Sequence, residues 1–154
     1  MRFLKIAKEN GVTTIFNPAP AQKLPDELYG LSDYFCPNEI EAALMAGFAV
    51  DSIEDAEKAG RVFLSRGARA VIITLGSRGS LFVSNERTFH VPTEKVKAVD
   101  TTGAGDAFIG SMAFFLASGE PIEEAMKKAS HAAALSVQKS GAQTSYPTLE
   151  ECGF

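Results

Sequence analysis

Hydrophobic positions along the chain fall into blocks that alternate between helical and strand-like spacing. Phe3, Ile6 and Ala7 have helical spacing within residues 1–10, and Asn10-Gly11 supplies a stop before the β-branched run Val12-Thr13-Thr14-Ile15-Phe16. Asn17-Pro18-Ala19-Pro20 ends that strand, because proline cannot continue a ladder, and Asp33-Tyr34-Phe35-Cys36 gives a second short strand before Pro37. Asn38 is placed to cap a helix whose apolar face is Ile40, Leu44 and Phe48, with Gly47 as a stop. Ser52 caps a further helix to Ser65, with Glu54, Asp55 and Glu57 in its first turns, and Gly67 closes it. Ala70-Val71-Ile72-Ile73-Thr74-Leu75 is a continuous apolar run, the pattern of a central strand covered on both faces. Residues 80–84 and 87–91 alternate around Asn85-Glu86 and read as a hairpin. Residues 96–99 lead into a glycine loop and the apolar stretch Ala107 to Ala117. Pro121 then begins a last helix whose packed face is Ala125, Ala129, Ala132, Ala133 and Val137, ended by Gly141. Helices alternating with strands predict an α/β layered fold with a mostly parallel sheet, in which ligands sit at the carboxyl ends of strands.

Composition narrows the class. The 154 residues are one domain's worth, with 45% hydrophobic and 22% charged side chains, as in ordinary soluble globular proteins. A net charge of −4 argues against a nucleic-acid partner, which calls for a basic face. The longest apolar run, residues 107–117, contains Gly110 and Ser111 and falls short of the roughly 18 residues that span a bilayer. The first eight residues alternate charge with apolar side chains and lack a signal-peptide core, so the cytoplasm is the expected compartment. Cys36 and Cys152 have no paired spacing, which argues against a disulfide framework or a zinc site. His90 and His131 carry no motif.

The run with the most chemistry is Asp100-Thr101-Thr102-Gly103-Ala104-Gly105-Asp106 at the start of the apolar helix. Glycines let the backbone turn sharply and approach a ligand, while the unpaired N–H groups of a first helical turn point at an anion. Asp106 beside that anion reads either as a base accepting a proton from an attacking hydroxyl, or as an acidic residue favoured by the helix dipole. Asn38 and Glu41 read either as a cap followed by a solvated carboxylate or as oxygen donors near a cation. Thr74-Leu75-Gly76-Ser77-Arg78-Gly79 reads by itself as a turn.

Taken together, Asn17-Pro18-Ala19-Pro20-Ala21, Pro37-Asn38-Glu39-Ile40-Glu41, Thr74 to Gly79, Asp100 to Asp106 with Ala107-Phe108, and Gly141-Ala142-Gln143-Thr144-Ser145 resemble, in order and spacing, the ribokinase-like carbohydrate kinase family, also called the PfkB family. The match is to its ribokinase branch. The resemblance implies transfer of the ATP γ-phosphate to the 5-hydroxyl of D-ribose. It makes Asp106 the catalytic base and assigns the backbone amides of Gly103, Ala104, Gly105 and Asp106 to an anion hole. It assigns Asn38, Thr74, Gly76, Ser77, Arg78, Gly79, Gly105 and Ser130 to the nucleotide, although a serine on an alanine-rich helix is also simply tolerated. It places Glu41 near Mg²⁺ through water. It assigns Asp100, Thr102, Ser136, Lys139, Gly141 and Ser145 to a K⁺ site, several through backbone carbonyls.

Family members run to about twice this length, and these motifs belong to their carboxyl-terminal half. Residues 1–154 are therefore expected to be the nucleotide-binding portion of a ribokinase-like kinase domain, lacking the amino-terminal half with its Gly-Gly signature, most sugar contacts and the β-sheet lid. Little independent sugar phosphorylation is expected, since positioning and water exclusion are large parts of a kinase's advantage. Three alternatives stay open: a non-catalytic nucleotide-binding or regulatory chain that pairs with full-length subunits, a related sugar or nucleoside kinase of the same family, and an aggregation-prone fragment.

Overall fold

A computed structural model describes residues 1–154, which pack into two compact units: Met1–Gly76 with Leu81–His90, and Ser77–Ser80 with Val91–Phe154. The elements in chain order are α1 (Arg2–Glu9), β1 (Ile15–Phe16), α2 (Asp26–Leu31), β2 (Tyr34–Phe35), α3 (Glu39–Ala46), α4 (Ile53–Ser65), β3 (Ala70–Thr74), β4 (Ser80–Ser84), β5 (Thr88–Val91), α5 (Ala104–Ala117) and α6 (Ile122–Ser136). Short 3₁₀ turns occupy Gly76–Arg78 and Gln143–Ser145.

The sheet has five strands in the order β1-β2-β3-β4-β5, and β3 lies at its centre as the apolar run predicts. β1, β2 and β3 are parallel, with Tyr34 opposite both Ile15 and Ala70. The β4–β5 turn closes with the Ser84 N–H donating to the Arg87 carbonyl at 2.9 Å. The core of the first unit is aromatic where α2, β2 and α4 meet: Phe35 lies 4.9 Å from Tyr29 and 5.2 Å from Phe63 between ring centroids. Val71, Ile73, Leu81 and Val83 from the sheet complete it, all essentially without exposure. In the second unit α5 packs against α6, burying Phe108, Met112 and Phe115 of the first with Met126 and the alanine stripe Ala125, Ala129 and Ala132 of the second.

Both expected caps form. The Ser52 hydroxyl accepts from the Asp55 N–H, and Asn38 forms a reciprocal capping box with Glu41. The face assigned to α3 is corrected by the same box. Glu41 and Ala42 turn inward, whereas Ile40 and Leu44 are 68% and 69% exposed and Phe48 37%. Reciprocal capping fixes the helix rotation, so the apolar stripe read from the spacing faces outward. The ladder of β1 is also shorter than the run Val12–Phe16 suggests, and α2 is an additional helix that follows Pro25. Residues 96–99 form no ladder; instead the Val99 N–H donates to the Val137 carbonyl at 2.7 Å.

Candidate active site

The glycine run builds its loop within the second unit. Asp100 is the staple: one carboxylate oxygen accepts from the Thr102 N–H and the other from the Gly141 N–H, each at 2.9 Å. Hydrogen bonding from the Thr102 side chain and from the two amides holds the Asp100 carboxyl down to about 2. Gly103 caps α5 with φ +80, and a Cβ there would meet the Tyr146 hydroxyl at 2.9 Å and Ala142 at 3.1–3.2 Å. The chain's own packing therefore requires this glycine, a constraint invisible in the sequence because Ala142 and Tyr146 lie some forty residues on.

No side chain caps α5. The Ala104 N–H donates to the Thr101 carbonyl at 3.2 Å and the Ala107 N–H to Gly103 at 2.8 Å, while the Gly103, Gly105 and Asp106 amides have no acceptor in the chain. Of the four amides expected to hold an anion, that of Ala104 is thus partly engaged in a turn, and those of Gly103, Gly105 and Asp106 are free donors. A Cβ added at Gly105 would meet nothing within 4 Å, so the space beside that residue is open. The Asp106 carboxylate is exposed in the first turn and forms no ion pair. Unsatisfied amides at the positive end of a 14-residue helix are the donors an anion would need, and the Asp106 carboxylate stands in the same turn.

The donors assigned to a monovalent cation lie in the same unit. Ser145 is fully buried, and its hydroxyl donates to the Ala142 carbonyl at 2.6 Å. Ser136 is buried with its hydroxyl on the Ala133 carbonyl, and Lys139 reaches Glu151 at 2.7 Å, which leaves only its carbonyl for a cation. No three His, Cys, Asp or Glu side chains converge anywhere in the chain. The donors offered near Asp100 are therefore hydroxyl and carbonyl oxygens with one carboxylate, a set suited to a weakly hydrated alkali ion.

Within the first unit, Asn38 and Thr74 are brought together by a parallel bridge, the Thr74 N–H donating to the Pro37 carbonyl at 3.1 Å. Gly76 follows, 3.8 Å from the Glu39 carboxylate at its virtual Cβ. Glu41 is only 7% exposed; one of its oxygens accepts from the Asn38 N–H at 2.8 Å while the Asn38 side-chain oxygen accepts from the Glu41 N–H at 2.8 Å. The carboxylate is thus a buried cap with one oxygen left over, which suits an indirect role through water rather than direct coordination. Its negative charge, second to burial itself, helps push the Cys36 thiol up to about 12, so that thiol is inert at neutral pH. Replacing Asn38 by Ala removes the side-chain acceptor of the box and leaves the bond from the residue-38 backbone N–H to Glu41, and is expected to cost about 1 kcal/mol, measured by urea denaturation.

Ser77, Arg78 and Gly79 belong to the second unit. Ser77 is exposed and Arg78 half-buried, but Gly79 is buried at φ +88 with its virtual Cβ overlapping the Val91 carbonyl and 2.9 Å from Pro92. Its missing side chain is a demand of the fold, whatever the loop binds. Ser130 is 6% exposed on the packed side of α6. Sequence reasoning missed Asn17 as a fastener: its side-chain amide donates to the Cys36 carbonyl at 2.8 Å, tying the end of β1 to the end of β2.

The fold is a layered α/β one with free amides at a helix start, and comparison with known proteins gives the family. The pattern of the pfkB family carbohydrate kinases matches residues 1–149, and the chain belongs to that family. It is 48% identical over 149 residues to ribokinase from Mus musculus, covering 94% of this chain and 46% of that protein. It is 40% identical over 149 residues to deoxyribokinase from Salmonella typhi, covering 96% of this chain and 49% of the other. The structure of Arabidopsis thaliana ribokinase complexed with ribose and ATP superposes with a TM-score of 0.91 at 30% identity, over 97% of this chain and 49% of that one. The chain spans about half the length of the curated relatives it matches. No helix is long and apolar enough to cross a membrane.

Proposed function

We infer that the chain is the nucleotide-binding portion of an ATP-dependent ribokinase, which transfers the γ-phosphoryl group to the 5-hydroxyl of D-ribose to give ribose 5-phosphate and ADP. The observation that carries this reading is the start of α5, where the Gly103, Gly105 and Asp106 amides lack acceptors in the chain and the space beside Gly105 is open. Those amides hold the non-bridging γ-oxygens, whose charge grows as the bond to the β-phosphate oxygen breaks. Asp106 takes the proton of the ribose hydroxyl as that oxygen bonds to phosphorus, and ADP leaves with the bridging oxygen. Thr74, Gly76, Ser77, Arg78, Gly79, Asn38 and Ser130 are assigned to the nucleotide on the family resemblance. When bound, Mg²⁺ neutralises phosphate charge, and Glu41 orders its water shell through the one oxygen the capping box leaves. Asp100, Thr102, Ser136, Lys139, Gly141 and Ser145 are assigned on the family resemblance to a K⁺ site, where the ion would supply positive charge beside the loop. The sugar is assigned from the ribokinase relatives, and the deoxyribokinase relative marks the nearest competing substrate.

Gly105→Ala tests the reading. Its Cβ enters space that the chain leaves open, so folding stability should be unchanged or rise by up to about 1 kcal/mol as a helix glycine is replaced. ATP binding, measured by isothermal titration, should fall at least about tenfold because the methyl group stands where the phosphate approaches. Equal affinity in both proteins would remove the phosphate from this helix start. Separately, ADP release by the chain with ribose and K⁺ decides between a self-sufficient kinase and a nucleotide-binding portion; we expect binding with turnover near background.

Acid should open the loop late. Because the folded pKa of Asp100 lies below its ordinary 3.8, the carboxylate's contribution is complete above about pH 4 and is lost as pH falls toward 2. The Gly141 amide resonance, which reports its bond to Asp100, should hold its position from pH 7 to about 4 and move below that.

A further inference from the structure

We propose that the first unit carries a binding site for a small organic acid, a monocarboxylate with an apolar body, in a cavity walled by the end of α3, the residue that closes α4 and the segment that leads into α2. The inference goes beyond the kinase reading and does not rest on it, since every residue of the cavity lies in the first unit.

The cavity has a volume of about 470 Å³, within the range of sites that enclose small molecules. Three pieces of chain meet around it: residues 21–26 run into α2, Leu44 and Met45 lie in the last turn of α3, and Arg66 caps α4. Leu24 and Met45 are half-buried and pack on the aromatic core, so the cavity has an apolar lining anchored from below. The capping box that turns Glu41 and Ala42 inward leaves Leu44 69% exposed, and this side chain also lines the cavity. Apolar surface is thus held ready for a ligand to cover.

Arg66 supplies the charge, and its geometry is already fixed. Its Nη1 donates to the Met45 carbonyl at 2.9 Å and to the Tyr29 hydroxyl at 3.3 Å, while its guanidinium carbon lies 5.8 Å from the ring centroids of both Tyr29 and Phe63. The bond to Met45 satisfies a carbonyl orphaned by the end of α3, which is a structural role of its own. That role uses a single nitrogen. The edge formed by Nε and Nη2 has no acceptor in the chain, and Arg66 forms no ion pair. Two parallel N–H groups on that edge match the two oxygens of a carboxylate. A guanidinium already held by packing loses little freedom on binding.

Charge selects the class of ligand. Lys23 and Asp26 also line the cavity, and neither side chain forms an ion pair. Two cations against one carboxylate leave a single positive charge to be matched, which one carboxylate neutralises. A phosphate monoester, near −2 at neutral pH, would overshoot and be repelled by Asp26. A bare anion would gain little from two partly solvated cations, so the apolar lining selects an acid that brings an apolar body with it.

Amide and methionine-methyl NMR of the chain titrated with naphthylacetate tests the site. The Leu44, Met45 and Arg66 resonances should shift saturably. Naphthylacetamide, the same body without the charge, should bind at least about tenfold more weakly, and naphthyl phosphate at least about threefold more weakly. Leu44→Asp places a like charge at an exposed position and should weaken naphthylacetate at least about tenfold with circular dichroism unchanged. Arg66→Lys keeps the charge but loses the paired edge and should cost about tenfold. Because Arg66 also caps α3, Lys23→Ala decides should that variant fail to fold; Lys23 is exposed and unpaired, and a loss of about threefold is expected. No saturable shift overturns the proposal, as does an amide that binds as well as the acid, a phosphate that binds more tightly, or a folded Leu44→Asp or Arg66→Lys variant, or Lys23→Ala where it decides, that binds like the parent. Shifts confined to the Gly103–Asp106 amides would place the acid on the start of α5 and overturn it too.

Discussion

Asp106→Asn, introduced into the chain joined to the amino-terminal portion of a relative, should lower kcat for ribose phosphorylation by roughly 10² to 10⁴, the scale of a positioned general base. That corresponds to about 3–5 kcal/mol of transition-state stabilisation. The substitution keeps shape and removes only charge and basicity from an exposed first-turn side chain without an ion-pair partner, so the structural loss is limited to its attraction to the helix dipole, about 0.3–1 kcal/mol. Removing a carboxylate from beside the phosphates relieves ground-state repulsion, so the ATP dissociation constant should stay level or tighten while kcat falls. A fall in binding with kcat intact would instead make Asp106 an electrostatic anchor of the loop. Unchanged kcat would remove it from the chemistry.

Gly79→Ala should carry the largest folding cost of any substitution near the candidate site. At φ +88 a side chain is strained by about 1–2 kcal/mol before any contact is counted. The added methyl group would also overlap the Val91 carbonyl and press on Pro92, both backbone, so relief requires moving the segment that follows β5. A total loss of about 3–5 kcal/mol is expected, in the upper range for a single change. Urea denaturation beside Gly105→Ala separates the two glycines, since the latter faces open space. An unchanged midpoint in Gly79→Ala would mean that the Val91–Pro92 segment yields freely.

Much of the architecture was legible because it is local. Asn38 and Ser52 cap helices with their own side chains, and β3 announces itself by a continuous apolar run that only a strand covered on both faces tolerates. What failed depends on contacts the sequence does not display. The stripe Ile40, Leu44 and Phe48 has helical spacing, but the capping box fixes the rotation of α3 and turns Glu41 and Ala42 inward instead. Helix α2 has only six residues and no side-chain cap, too little for a periodic signal. At the candidate site, the loop and the position of Asp106 could be read from the glycine run. The reasons for Gly79 and Gly103 could not, because Val91, Pro92, Ala142 and Tyr146 supply them from elsewhere in the chain. Nor could the partial engagement of the Ala104 amide, which depends on how tightly the turn from Thr101 closes.

If the free amides at the start of α5 grip the terminal phosphate of a nucleotide, they must respond to it directly. Amide NMR of the chain titrated with a non-hydrolysable ATP analogue and Mg²⁺ reads those donors one by one. The Gly103, Gly105 and Asp106 resonances should move most and together, with ADP moving them far less. Saturable binding that leaves all three in place would contradict it.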